Sequence, residues 1–117
     1  MVMPFKDLIV EREGRRLLVK IDRPEVLNAL RGETFLELEE ALRMLEDSDE
    51  AGAMIITGAG DRAFSAGGDI NALAGLGPGD AAQFAAMTHR VLDRLERVPK
   101  PVIAAVNGYA LGAGCDL

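Results

Sequence analysis

The 117-residue chain has a single cysteine, Cys115, and a single histidine, His89. One cysteine excludes an internal disulfide, and without a Cys/His cluster there is no thiolate or imidazole set for a metal. That usage fits a reducing compartment. One histidine, set in a stretch with helical spacing, argues against a Ser-His-Asp triad built within the chain. Ser65 has no histidine close in sequence to activate it. No apolar run approaches the roughly 20 residues that span a bilayer. The start, Met1 to Asp7, has neither the basic leader nor the apolar core of a signal peptide, so a cytoplasmic location is the expectation. Positive charge is also scarce: 13 Lys and Arg stand against 19 Asp and Glu, a net charge of −6. Nucleic acid and anionic membrane both need a basic face, so neither is expected as a partner. A small anion stays admissible, because a few cations or backbone N–H groups can hold it locally.

What is present reads as one soluble α/β domain over residues 1–117. Two apolar runs, Leu8 to Val10 and Leu17 to Ile21, flank Gly14 and predict a hairpin. Pro24 ends the second strand, and Leu27-Asn28-Ala29 is a loop. From Gly32 to Asp47, Phe35, Leu38, Leu42 and Leu45 recur at helical spacing. The run Glu37, Glu39 and Glu40 reads as the solvated face of that helix. Ala53 to Thr57 reads as a strand buried on both sides, closed by the turn Gly58-Ala59-Gly60-Asp61. A second helix is predicted over Asp80 to Arg97, with Asp80 as N-cap and Phe84, Val91, Leu92, Leu95 and Val98 inward. His89 falls on a surface of this helix. Val102 to Val106 predicts another buried strand. Strands alternating with helices indicate a largely parallel sheet.

The segments after the two buried strands carry the chemistry. They are Ala63-Phe64-Ser65-Ala66-Gly67-Gly68-Asp69-Ile70 and Asn107-Gly108-Tyr109-Ala110-Leu111-Gly112-Ala113-Gly114-Cys115-Asp116-Leu117. Their small residues allow a ligand to approach the backbone. Each leads into a helix, whose first N–H groups lack intrahelical acceptors and carry partial positive charge. Two such donors aimed at one point make an oxyanion hole. Neither segment ends in the Gly-Lys-Ser/Thr of a P-loop or forms a Gly-x-Gly-x-x-Gly fingerprint. From the residues alone they are two candidate anion-binding turns, and either could be only a tight connection.

Three segments in order resemble the enoyl-CoA hydratase/isomerase (crotonase) family. Ile21 to Leu30 (I-D-R-P-E-V-L-N-A-L) is similar to its "hydrophobic-x-R-P-x-x-x-N-A-L" element. Ala63 to Ile70 is similar to "A-F-x-A-G-x-D-[IL]", and Lys100 to Asp116 to "K-P-x-I-A-A-V-N-G-x-A-x-G-G-G-x-[ED]". The resemblance implies the N-terminal part of a spiral of repeated ββα units. It implies assembly as a homotrimer or a dimer of trimers once the fold is completed, and an acyl-CoA thioester as substrate, with no separate cofactor and no metal. It also assigns Gly68 and Ala113 as the two oxyanion N–H donors, Ala113 standing where glycine is commoner, so that its methyl would narrow the acyl channel. Ala66, Gly67, Gly68, Asp69 and Ile70, with Leu111 and Gly112, would line the substrate. The loop at Val26 and Leu27 would complete the CoA grip, with Arg23 a candidate phosphate contact.

Asp116 matches the first of the two carboxylates that the family's hydratases use. Most of them carry glutamate there; aspartate is one methylene shorter and also resembles dienoyl-CoA isomerases. Cys115 beside it reads as small packing. The expected function is therefore hydration of a trans-2-enoyl-CoA. The alternatives are a double-bond isomerase of the same fold or a non-catalytic acyl-CoA-binding fragment. Family members are much longer, so the second carboxylate is expected beyond Leu117. The chain is expected to be a fragment or to be completed by another chain.

Overall fold

Gly14 turns the chain at φ +61°, and β1 (Leu8–Glu13) folds back on β2 (Arg16–Ile21) in the predicted hairpin, pairing Leu8 with Ile21. The computed structural model describes residues 5–117; Met1 to Pro4, part of the stretch compared with a signal peptide, lie outside the described residues. β3 (Ala53–Gly58) and β5 (Val102–Ala104) add in parallel to give the sheet order β1-β2-β3-β5. β4 (Ala63–Ser65) and β6 (Tyr109–Ala110) form a second, two-stranded parallel sheet.

The helices follow in turn: α1 (Gly32–Asp47), α2 (Ile70–Ala74), α3 (Pro78–Arg97) and the short α4 (Ala113–Asp116). The order β1β2α1, β3β4α2α3, β5β6α4 repeats a ββα plan three times.

The core lies between α1 and the first sheet. Phe35, Leu38, Leu42 and Leu45 are at most 4% exposed and join one buried cluster with Val10, Val19, Ile21, Met54 and Ile56. Truncating a buried leucine of this kind to alanine typically costs about 2–5 kcal/mol. Phe84 of α3 meets Phe35 edge-on, with ring centroids 6.1 Å apart.

Several expectations are corrected. β3 alternates between buried and half-buried residues; it is not covered on both faces. β5 is three residues long and lies at the sheet edge, with Ile103 54% exposed, so the predicted buried strand over Val102–Val106 is short and half bare. α3 begins two residues earlier than expected: Gly77 is its N-cap, Pro78 occupies the first turn, and Asp80 lies within that turn. Proline suits this position because its missing N–H would have no acceptor there.

The glutamate run is not a solvated face. Glu39 is buried and receives Arg90 Nε at 3.0 Å, joining α1 to α3. Glu37 accepts the backbone N–H groups of Lys6, Asp7 and Leu8.

Asp7 is buried against Arg31 and Thr34. Burial pushes its carboxyl up, but the hydrogen bonds from Arg31 and Thr34 outweigh it and hold the pKa below its ordinary 3.8. No helix among the described residues is long and apolar enough to cross a membrane.

Candidate active site

The two glycine-rich segments meet backbone to backbone. β4 and β6 deliver them side by side, Leu111 N–H donates to Ser65 O at 3.0 Å, and Tyr109 N–H donates to Arg62 O. Here the glycines serve the protein's own packing. A Cβ on Gly108 would strike the Arg62 carbonyl, one on Gly114 the Ser65 carbonyl, and one on Gly67 would lie 2.8 Å from Leu111 O. The space expected to admit a ligand at these three positions is filled by the opposite segment.

Two asparagines inside the recognised motifs support that junction. Asn28 is buried; its Nδ2 donates to Ala59 O and Ala63 O, and its Oδ1 accepts Arg23 N–H. Asn107 grips the same turn, accepting from Gly58 N–H and donating to Gly58 O and Gly60 O. Their roles were missed in the sequence; for Asn28 the available signal was an amide set among apolar neighbours, where a buried side chain must find several partners.

The first turn uses nearly all its donors internally. Ala66 N–H goes to Leu27 O, Gly67 N–H to Ser65 Oγ, and Asp69 N–H to Leu30 O. Gly68 N–H, between them, donates to no acceptor among the described residues. In the second segment Leu111, Gly114, Cys115 and Asp116 donate to protein carbonyls, whereas the N–H groups of Gly112 and of Ala113, at the start of α4, have no acceptor among the described residues. The two turns are close: a Cβ on Gly67 would stand 3.4 Å from the Ala113 nitrogen. Gly68 and Ala113 thus carry uncommitted donors on adjacent, mutually braced turns, as do their neighbours Ile70 and Gly112 among the described residues.

Other predicted site residues surround them. Ile70 and Leu111 are 79% and 55% exposed, and Val26 is also exposed. Gly112 takes φ +53° with open space where a side chain would be. Ala113 is half-buried and its side chain packs against the core cluster, which is not the channel position expected for its methyl.

Leu27 and Asn28 are held at φ 55° and 57°, a left-handed conformation that costs an ordinary residue about 1–2 kcal/mol. It brings the Leu27 carbonyl to Ala66 N–H. Arg23 turns inward, donating to Ala29 O and pairing with Asp69 at 3.0 Å. Asp69 also caps α2 through Asn71 N–H and Ala72 N–H. The Ala72 N–H, with help from Arg23, holds the Asp69 carboxyl below the ordinary carboxylate range.

Asp116 stands apart. It is exposed and lines a trough of about 650 Å³ with His89, Leu92 and Val102, whose walls include none of the other predicted site residues. Cys115 is exposed rather than packed. Among the described residues, the one cluster with metal-ligand proximity is Asp7, Glu33 and Glu37, within 4.8 Å. Arg31, Thr34 and backbone N–H groups already occupy the Asp7 and Glu37 oxygens.

The chain matches the family model for enoyl-CoA hydratase/isomerase over residues 11–117. It is 41% identical over 115 residues to the crotonyl-CoA hydratase of Syntrophomonas wolfei, covering 98% of this chain and 44% of that protein. The short-chain-enoyl-CoA hydratase of Clostridium acetobutylicum matches with the same identity and coverage. The crystal structure of an enoyl-CoA hydratase from Bacillus anthracis superposes with a TM-score of 0.90 at 29% identity, over 95% of this chain and 43% of that one. The chain therefore spans less than half the length of the curated relatives it matches.

Proposed function

This chain belongs to the enoyl-CoA hydratase/isomerase family, and from that premise we propose that it supplies the thioester-activating part of an enzyme hydrating trans-2-enoyl-CoA. The observation that carries the reading is that the Gly68 and Ala113 N–H groups, at the positions the family motifs assign, are uncommitted on turns braced against each other. The thioester carbonyl oxygen accepts from both. When water oxygen bonds to C3 and gives its proton to a carboxylate, the C2=C3 pair shifts to C1=C2 and the carbonyl pair moves onto the thioester oxygen as an enolate. The enolate then collapses as C2 takes a proton. Charge on the oxygen is greatest in the transition state, so fixed donors lower the barrier more than they tighten binding.

Asp116, which lines a trough apart from the two turns but follows Ala113 by three residues, is assigned by the family motif to exchange a proton with the water or with C2, in concert with a second acid–base group. Ile70, Leu111 and Gly112, with the loop at Val26 and Leu27, flank the acyl-CoA, while the Ala66–Gly67 backbone shapes the turn beneath it. No metal, flavin or nicotinamide enters this chemistry. The site works in a homotrimer or pair of trimers, in the cytoplasm.

Aspartate rather than glutamate at position 116 favours one second reading, a double-bond isomerase on the same oxyanion hole. The two separate with the full-length polypeptide that carries this sequence. Hydration removes the conjugated enoyl-thioester absorbance of crotonyl-CoA, whereas isomerisation of a 3-enoyl-CoA creates it. Ala113→Pro deletes one donor at a helix start that tolerates proline. It should lower kcat about 100- to 1,000-fold. Unchanged turnover in that variant would remove Ala113 from the oxyanion hole, and inert wild-type protein on both substrates would leave only thioester binding.

A further inference from the structure

We propose that Arg23 is a positioning residue that aims the Gly68 N–H, an inference that rests on the oxyanion reading above. The Gly67 carbonyl and the Gly68 N–H belong to one planar trans peptide, so fixing one fixes the other in the opposite direction. Leu30 N–H holds that carbonyl at 2.7 Å, and Leu30 O accepts Asp69 N–H, also at 2.7 Å. The same hydrogen bond polarises the amide and makes Gly68 a better donor.

The loop that brings Leu30 there has two residues at positive φ and is held partly by the Asn28 amide and partly by a second brace. Arg23 provides it from a single nitrogen: Nη1 donates to Ala29 O at 2.7 Å and reaches Asp69 Oδ2 at 3.0 Å. It therefore ties the residue before Leu30 to the residue after Gly68. The Arg23 and Asp69 side chains are only 12% and 11% exposed, which suits a brace better than a grip on a solvated phosphate.

The test uses the full-length protein, steady-state kinetics, and the carbonyl stretch of a bound acyl-CoA thioester, whose downshift reports polarisation by the hole. Arg23→Met keeps most of the aliphatic stem and removes the brace. It is expected to reduce kcat about tenfold to 100-fold, the scale of a displacement near 1 Å. KM should stay within about threefold, and the carbonyl downshift should shrink. Asp69→Asn keeps an oxygen to cap α2 and should give the same pattern, which covers the case of a poorly folding Arg23 variant. Arg23→Lys should recover part of both readouts.

A raised KM with unchanged kcat and carbonyl frequency would make Arg23 a CoA contact and overturn the inference. So would variants indistinguishable from wild type. Wild-type protein without any carbonyl downshift would overturn the oxyanion reading itself, and this inference with it.

Discussion

At Gly114 a side chain has no direction in which to escape. Its Cβ would collide with the Ser65 carbonyl oxygen and lie 2.9 Å from the Ser65 Cβ, and backbone cannot rotate aside as a long side chain can. Gly114→Ala is therefore expected to destabilise the fold by about 3 kcal/mol, read as a lower urea midpoint. Gly75 is the matched control. It sits at φ −85° with nothing within 4 Å of an added Cβ, so Gly75→Ala should leave stability unchanged or raise it by roughly 0.5 kcal/mol. An equal loss at both positions would mean that glycine flexibility, and not the contact between turns, is what matters at Gly114. The same contrast explains what could be read at the site in advance. Glycine-rich turns after strands marked two segments that the fold brings into backbone contact, because small residues permit a close approach. Which atoms approached was hidden, since Gly67, Gly108 and Gly114 face another part of the chain more than 40 residues away in sequence.

Among the elements, α1 shows how a remote residue can finish a helix. Its last turn has carbonyls without intrahelical donors, and Lys100, just before β5, fills that need. The ammonium donates to Leu45 O and Ser48 O at 2.6 Å and to Ala51 O at 2.8 Å. Lys100→Met keeps the stem and removes the donors. The expected cost is about 2–3 kcal/mol, measured by chemical denaturation, and a loss under about 0.5 kcal/mol would show that water replaces the ammonium freely. The bounds of α1 were legible because four apolar residues at three- and four-residue spacing run uninterrupted between loops. The start of α3 was not, since Pro78 reads as a breaker unless its place in the first turn is known. β5 differs from its reading because, among the described residues, it pairs only with β3, although Val102 to Val106 has the composition of a central strand. Glu39 looked solvated because its partner, Arg90, is 51 residues away.

On the scale of the whole molecule, three carboxylates join separate parts of the fold. Asp7 ties the entry of β1 to Arg31 and Thr34 at the head of α1, Glu39 ties α1 to α3 through Arg90, and Asp69 ties the first glycine-rich turn to Arg23. Each has its pKa lowered by folding, from ordinary values of 3.8, 4.5 and 3.8. For Glu39 the Arg90 hydrogen bond is the main cause; for Asp69 it is Ala72 N–H, with Arg23 second. The folded state therefore binds fewer protons than the unfolded chain around pH 4, so stability must rise with pH there. Their contribution is complete above the unfolded values and is lost as pH falls through the lowered folded ones. The urea midpoint should accordingly be flat from about pH 7 to 5.5 and drop steeply between about pH 4.5 and 3. Asp7→Asn should be less stable than wild type at pH 7, because Arg31 loses its charged partner, and should show a shallower acid limb. If the variant keeps the full wild-type slope while losing stability equally at every pH, Asp7 acts through hydrogen-bond geometry alone, and the acid sensitivity belongs to Glu39 and Asp69.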